Sequence, residues 1–335
     1  ISSVTDKAIK DGFNNLKPGK AYENLYHAAV ARSEADWYLG LNATRALTTK
    51  HNSQLNTGRV QTPVVAIIAK REDEIKNFKP QTYYGIDAQT ADKLKLTWQD
   101  KNGNSRNFDK IKVDAIVKSL GSKDAIVTDI DRKPKKTFAP GLYDLTELQR
   151  DANKMFGYSA KETLNYMQKL YEQHKVLTYP RTDSRFISQD IVATLPERLR
   201  ACGVGEYRSL TNKVLNKPIK VSKSFVDDSK VSDHHAIIPT EGYVNLSAMT
   251  DKERKIYDLV VKRFIAVLFP AYEYEQLTVN TKIGDETFVA RGKTVLNAGW
   301  KEVYDNRFDD EDQGEDVKEQ LLPRIEKGQT LKTKL

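Results

Sequence analysis

Apolar residues recur at helical spacing over residues 20–47, where Tyr26, Val30, Trp37, Leu41 and Leu47 fall near one face. The polar residues 1–19 before it end in the turn signal Leu16-Lys17-Pro18-Gly19. A second helix is expected to begin at Thr62-Pro63, with Thr62 as N-cap and Pro63 in the first turn, and to run to about Phe78. From Tyr83 the period changes to two. Leu94, Leu96 and Trp98 alternate ahead of a hairpin turn at Lys101-Asn102-Gly103-Asn104. A short helix over 113–120 and a strand over 125–130 follow, and Lys133-Pro134-Lys135-Lys136 reads as a basic linker.

The middle of the chain is mainly helical. Two helices over 146–174 meet at Gly157-Tyr158, with capping boxes at Thr146/Gln149 and Ser159/Glu162. Leu164, Met167, Leu170 and Tyr171 form a stripe that reads as core. A β-prone run at 175–179 comes next, giving the order of a helix-turn-helix scaffold leading into a strand. Ser188 is placed to cap a helix over 189–200, and 203–233 reads as irregular. A third capping box, Thr250/Glu253, opens a helix with Ile256, Leu259, Val260, Phe264, Val267 and Leu268 on one face, stopped by Pro270. Strands resume over 274–283 and 287–295 around Gly284-Asp285, with one or two more within 321–335. The expected fold is therefore α+β and multidomain. Residues 1–78 form a helical segment. Residues 79–138 and 270–335 form one discontinuous β domain, into which the helical 139–269 is inserted.

The net charge of +8 and pI near 9.1 suit a polyanionic partner, or simply a soluble basic surface. The single Cys202 excludes an internal disulfide framework and a multi-cysteine zinc site, and fits a reducing cytoplasm. Purely apolar runs such as 64–69 are too short for a membrane span, and no signal peptide is visible. An opening at Ile1 rather than methionine suggests an excised piece.

Chemistry concentrates at Leu177-Thr178-Tyr179-Pro180-Arg181-Thr182-Asp183-Ser184-Arg185. Pro180 biases Tyr179 toward extended backbone. A free phenol, with a pKa of about 10, is a poor nucleophile at neutral pH. A neighbouring guanidinium favours the phenolate and can grip a phosphate by two parallel hydrogen bonds. Tyrosine, arginine and a phosphodiester thus make a site for covalent phosphoryl transfer. The bland alternative is a buried tyrosine before a turn. Asp233-His234-His235 invites a metal reading, but adjacent histidines rarely face one ion and no cysteine lies nearby. The acidic stretch 309–316 lacks ordered spacing and reads as a solvated loop. No metal site is expected in this chain.

The tyrosine segment resembles the active-site segment of the type IA DNA topoisomerases, and Pro180 is most like their topoisomerase III branch. Three further segments resemble the same family in the same order. They are Asn24-Leu25-Tyr26-His27-Ala28-Ala29-Val30-Ala31-Arg32-Ser33-Glu34-Ala35-Asp36-Trp37, then Thr57-Gly58-Arg59-Val60-Gln61-Thr62-Pro63, then Asp233-His234-His235-Ala236-Ile237-Ile238-Pro239-Thr240.

The resemblance implies a toroid fragment with a helical base (1–78), a β arch (79–138 and 270–335) and an inserted helical domain (139–269) carrying the tyrosine. It implies Tyr179 as nucleophile, with Arg181 and His234 at the scissile phosphate and His235 as the alternative histidine. Arg32, Arg59, Gln61 and Arg185 are implied on the DNA strand, although Arg32 could instead pair with Asp36 one helical turn away. The implied activity is cleavage and religation of single-stranded DNA through a 5′-phosphotyrosine, without ATP. Magnesium, a glutamate acid and a lysine are expected in a Toprim domain absent from this sequence, with no cofactor in the chain itself. The expected state is a monomer, cytoplasmic and nucleoid-associated, with DNA, chiefly single-stranded, as partner. The alternative is a single-stranded DNA-binding module without catalysis.

Overall fold

The computed structural model describes residues 6–304 and 325–334. The acidic stretch 309–316 lies outside them. The chain divides into two compact units, one of residues 12–82 and one of residues 1–11 with 83–335.

A helix absent from the sequence reading, α1 (Asp6–Asn14), opens the described chain. In the smaller unit, α2 (Glu23–His51) ends on Asn52 in the left-handed region, and α3 (Gln61–Lys76) follows. The loop between them is tied back to α2: Thr57 N–H donates to Thr44 Oγ1 (2.9 Å) and Leu55 N–H to Thr48 Oγ1 (3.2 Å). The expected apolar face is present but uncovered. Tyr26, Trp37 and Leu41 are exposed, and neither helix buries a residue. Periodicity marks a face; burial needs a second surface to press on it. Thr62 is not the N-cap. The helix starts two residues earlier, at Gln61 with Val60 in the cap position, and the Thr62 hydroxyl accepts from the Gly58 N–H at 3.1 Å.

The larger unit holds two hydrophobic cores. One lies under a seven-stranded antiparallel sheet made of β1 (Asp87–Thr90), β2 (Lys95–Gln99), β3 (Ala125–Thr137), β4 (Tyr272–Ile283), β5 (Glu286–Asn297), β6 (Thr330–Leu331) and β7 (Thr333–Lys334). Their order is β6-β3-β4-β5-β2-β1-β7. Residues 330–334 therefore pair with both edges, Leu331 with Ala125 and Thr333 with Thr90, and nearly close the sheet. The expected alternation holds: Leu94, Leu96 and Trp98 are buried, as are Leu277, Val279, Thr281 and Ile283. A helix, α4 (Lys110–Leu120), is capped by the Asp109 carboxylate.

The basic linker is overturned. Lys133, Pro134, Lys135 and Lys136 lie inside β3 and pair with residues 273–276 of β4. Lys136 meets Glu273 at 2.7 Å and Arg132 meets Glu275 at 3.2 Å, so charge on the strand is matched across the ladder. Proline is tolerated because β6 covers only Ala125 and Ile126 on the other side, leaving an edge at Pro134.

The second core is helical: α5 (Leu145–Phe156), α6 (Ala160–Glu172), α7 (Gln189–Val192), α8 (Leu195–Cys202), α9 (Arg208–Leu215) and α10 (Asp251–Ala266). The capping boxes on α6 and α10 form as expected. That of α5 does not: Asp144 caps instead, its carboxylate accepting from Glu147 N–H. The single helix expected over 189–200 is split, because Pro196 opens a new first turn. The segment read as irregular contains α9, whose Thr211 and Val214 are buried. Isolated α10 would read as amphipathic, yet Tyr257, Val261 and Ile265 are buried as well, so it is the central helix of this core.

Candidate active site

Helix α6 ends at the tyrosine segment. Lys175 takes a left-handed conformation (φ 55°), and Val176 N–H closes the last turn on Leu170 O at 3.0 Å. The chain then runs extended as expected, although among the described residues it makes a single bridge, Leu177–Pro239, rather than a strand ladder. Thr178 N–H donates to Ile238 O and Thr240 N–H to Val176 O, both at 3.0 Å. The tyrosine motif is thereby zipped to the histidine motif, about sixty residues later in the chain.

Two threonines complete the seam, Thr178, to which the sequence reading assigns no role, and Thr182, which it offers only as a cap for the next helix. Thr178 Oγ1 accepts from Ile238 N–H (3.0 Å) and donates to Ala236 O (3.2 Å). Thr182 Oγ1 donates to His234 O (3.0 Å). They flank Tyr179 at spacings that a sequence could suggest only if the partner strand were known.

Tyr179 is half-buried. Its ring lies 4.2 Å from that of the exposed His234, tilted by 34°. Tyr171, read as core, instead sets its ring edge-on to Tyr179 at 5.5 Å and is 36% exposed. Arg181 is exposed and, among the described residues, has no hydrogen bond or ion pair. Arg185 turns inward: its Nε donates to Leu142 O at 3.2 Å, and its guanidinium packs against Gly141. His235 also turns inward, with Nδ1 2.7 Å from Ala236 O. The structure therefore brings Tyr179 and His234 together, leaves Arg181 free beside them in sequence, and engages Arg185 and His235 with backbone.

Arg32, Arg59 and Gln61 belong to the smaller unit. The Arg32–Asp36 pair, the alternative to a phosphate contact for Arg32, gives way to another. Arg59 Nε meets Asp36 Oδ1 at 2.6 Å, and its Nη2 reaches the second oxygen at 3.3 Å. The hydrogen bond from Arg59, then the charges of Arg59 and Arg32, hold the Asp36 carboxyl below its usual range. Gln61 is the first residue of α3, whose N-terminus has no side-chain cap.

These sequence motifs meet a decisive comparison. A family profile described as DNA topoisomerase matches residues 20–335. The chain belongs to the DNA topoisomerase family. It is 80% identical over 335 residues to DNA topoisomerase 3 of Bacillus anthracis, covering 100% of this chain and 46% of that protein. Against DNA topoisomerase 3 of Bacillus subtilis (strain 168) the identity is 58% over 332 residues, covering 99% and 45%. The chain thus spans about half the length of the curated relatives it matches. Its fold is similar to that of full-length topoisomerase I from Thermotoga maritima, with a TM-score of 0.71 and 23% identity over 99% of this chain and 52% of that one. No helix among the described residues is long and apolar enough to cross a membrane.

Within this topoisomerase-family segment, His235 gives a pH signature. Burial, ahead of every other influence, pushes its imidazole below the ordinary value, and the Arg198 charge adds to the effect. The unfolded chain then binds the proton more readily, so stability falls as pH drops below about 6.5. The loss levels off once pH is below the folded value. Chemical denaturation between about pH 6.5 and 5 is expected to show this slope, and His235→Gln to flatten it. An unchanged slope in the variant assigns it to another group.

Proposed function

We propose that this segment supplies the nucleophile of a type IA DNA topoisomerase of the topoisomerase III branch. The observation that carries the reading is the pairing of the 176–178 and 238–240 segments, which sets the Tyr179 and His234 rings 4.2 Å apart beside an exposed Arg181. Tyr179 Oη gives up its proton and attacks the phosphorus of a single-stranded phosphodiester. The bond from phosphorus to the 3′-oxygen breaks, and that oxygen leaves with a proton as a 3′-hydroxyl. The product is a 5′-phosphotyrosine, which keeps the phosphoester and so needs no ATP for religation. Arg181 stabilises the charge gathered on the phosphoryl oxygens. His234, exposed against the tyrosine ring, hydrogen-bonds the same phosphate. The partner is DNA, chiefly single-stranded, and the setting is cytoplasmic.

By resemblance, magnesium belongs to a Toprim domain. Among the described residues no group of three His, Cys, Asp or Glu side chains could hold a metal ion, so no step is assigned to magnesium here.

The test is incubation of a full-length protein carrying this segment with a single-stranded oligonucleotide, labelled at its 5′ and 3′ ends in turn, followed by denaturing electrophoresis. The 3′ label should stay with the protein and the 5′ label should not. Binding without any adduct would favour a single-stranded DNA-binding module instead.

Phosphate contacts make a second measurement. Arg181→Ala and Arg32→Ala should each lower the slope of log K against log salt by about 0.7. Arg59→Ala should lower it by less, because Asp36 already neutralises that guanidinium. Wild-type slopes for Arg181→Ala and Arg32→Ala would make those two arginines surface residues only.

A further inference from the structure

Helix α8 carries a charge in the core. Arg198 is 5% exposed, one turn after Thr194 and beside the fully buried Leu195, Leu199 and Cys202. Its donors are committed in three directions. Nε donates to Thr194 Oγ1 (2.8 Å), Nη1 to Pro239 O (2.8 Å), and Nη2 meets Glu241 Oε1 (2.6 Å). Two of these partners lie on the histidine-bearing segment, and Pro239 is the residue that bridges Leu177.

Packing alone does not call for this arrangement. The guanidinium is buried while the Glu241 side chain is 35% exposed, and a buried charge paired in this way contributes little net stability beyond what an apolar side chain of similar volume would. Its best-attested use is to specify register. Here register is weakly held by the strands themselves. Beside Tyr179 the two segments share one bridge and two backbone hydrogen bonds, and the remaining ties come from side chains: the two bonds of Thr178, Thr182 Oγ1 to His234 O and Thr240 Oγ1 to Lys175 O. A slip of one residue reverses which side each residue faces. It would carry Tyr179 away from His234. The planar guanidinium removes that freedom, because one rigid fork holds Pro239 and Glu241 at once.

We infer that Arg198, with Glu241, is a positioning residue that fixes the 237–241 segment against the tyrosine segment and so sets the Tyr179–His234 juxtaposition. It touches no substrate. The inference rests on the function proposed above. A misplacement of about 1 Å can cost on the order of 100-fold in rate, so a distant clamp can control chemistry without contributing to binding.

The experiment compares Arg198→Lys, Arg198→Met and Glu241→Gln in a full-length protein carrying this segment. Three quantities are measured for each: the dissociation constant for a single-stranded oligonucleotide, the single-turnover rate of adduct formation, and the thermal midpoint. The expected result is binding within about twofold of wild type and a rate lowered on the order of 10- to 100-fold, at temperatures well below the midpoint. Arg198→Lys should recover part of the rate, since it keeps the charge but not the fork. A merely structural arginine would lower the midpoint and leave the rate of the folded protein intact, which would overturn the inference. So would parallel losses in binding and rate. If Arg198→Met does not fold, Arg198→Lys and Glu241→Gln carry the same comparison. Failure of the proposed function is read separately: a wild-type adduct that forms, with unchanged rates in the variants, overturns the positioning role alone. A wild type that forms no adduct overturns both.

Discussion

Tyr179→Phe is expected to abolish the covalent adduct while single-strand binding stays within about twofold of wild type. Removal of a covalent nucleophile elsewhere lowers turnover on the order of 10⁶-fold, and the same scale applies here. The fold should not respond. The Tyr179 hydroxyl has no hydrogen bond among the described residues, whereas its ring contacts both His234 and Tyr171, and phenylalanine keeps the ring. His234→Ala and Arg181→Ala should act more weakly, in the range of about 10²–10³ expected for loss of one group that stabilises transition-state charge. Adduct that persists in Tyr179→Phe would sink the assignment. Tyr171, with its ring 5.5 Å away and partly exposed, would then be the next candidate, and Tyr171→Phe would decide it.

Much of this site was legible in the sequence because its chemistry is local. Tyr179, Pro180 and Arg181 are consecutive, and the caps Ser159 and Thr250 act within four residues. The same holds for the β4–β5 hairpin, whose alternation and Gly284 turn are complete in themselves. What escaped depends on partners far along the chain. Thr178 and Thr182 are ordinary residues until residues 234–238 lie beside them. Arg198 is one more helical arginine until Pro239 and Glu241 reach it. Lys133-Pro134-Lys135-Lys136 looked like a linker because its ladder partner, 273–276, comes about 140 residues later. In α2 the failure ran the other way. The pattern correctly gave a helix with an apolar face, but periodicity says nothing about whether a covering surface is at hand.

Arg263→Ala is expected to destabilise the larger unit by about 2–3 kcal/mol, less than the ~3–5 kcal/mol of a fully buried ion pair, because the Asp151 side chain is 29% exposed. Arg263 is 4% exposed on α10. Its Nη2 donates to Asp151 Oδ2 (2.8 Å) on α5 and to Tyr143 Oη (2.9 Å), and its Nη1 donates to Gly141 O (3.2 Å). Tyr143 in turn donates to Asp151 Oδ2 at 2.5 Å, beneath the guanidinium that covers its ring at 4.1 Å. Burial pushes the Tyr143 phenol well up, so it stays a neutral donor at any working pH. Loss of the guanidinium leaves Asp151, among the described residues, with the Tyr143 phenol as donor, and removes one tie on the 141–143 segment, which Arg185 still holds at Leu142 O. That segment is a further support of the histidine motif, through Tyr143 O and Ile237 N–H at 2.8 Å. Destabilisation should therefore come with a slower adduct reaction. Replacing the whole pair separates the two contributions. Arg263→Met with Asp151→Leu removes both charges and should recover most of the stability, as apolar replacements of buried pairs do. Urea denaturation of the two single variants and the double variant measures the coupling. A single-variant loss below about 1 kcal/mol would place this network in the range of an exposed pair and refute its role as a brace between α5, α10 and the site.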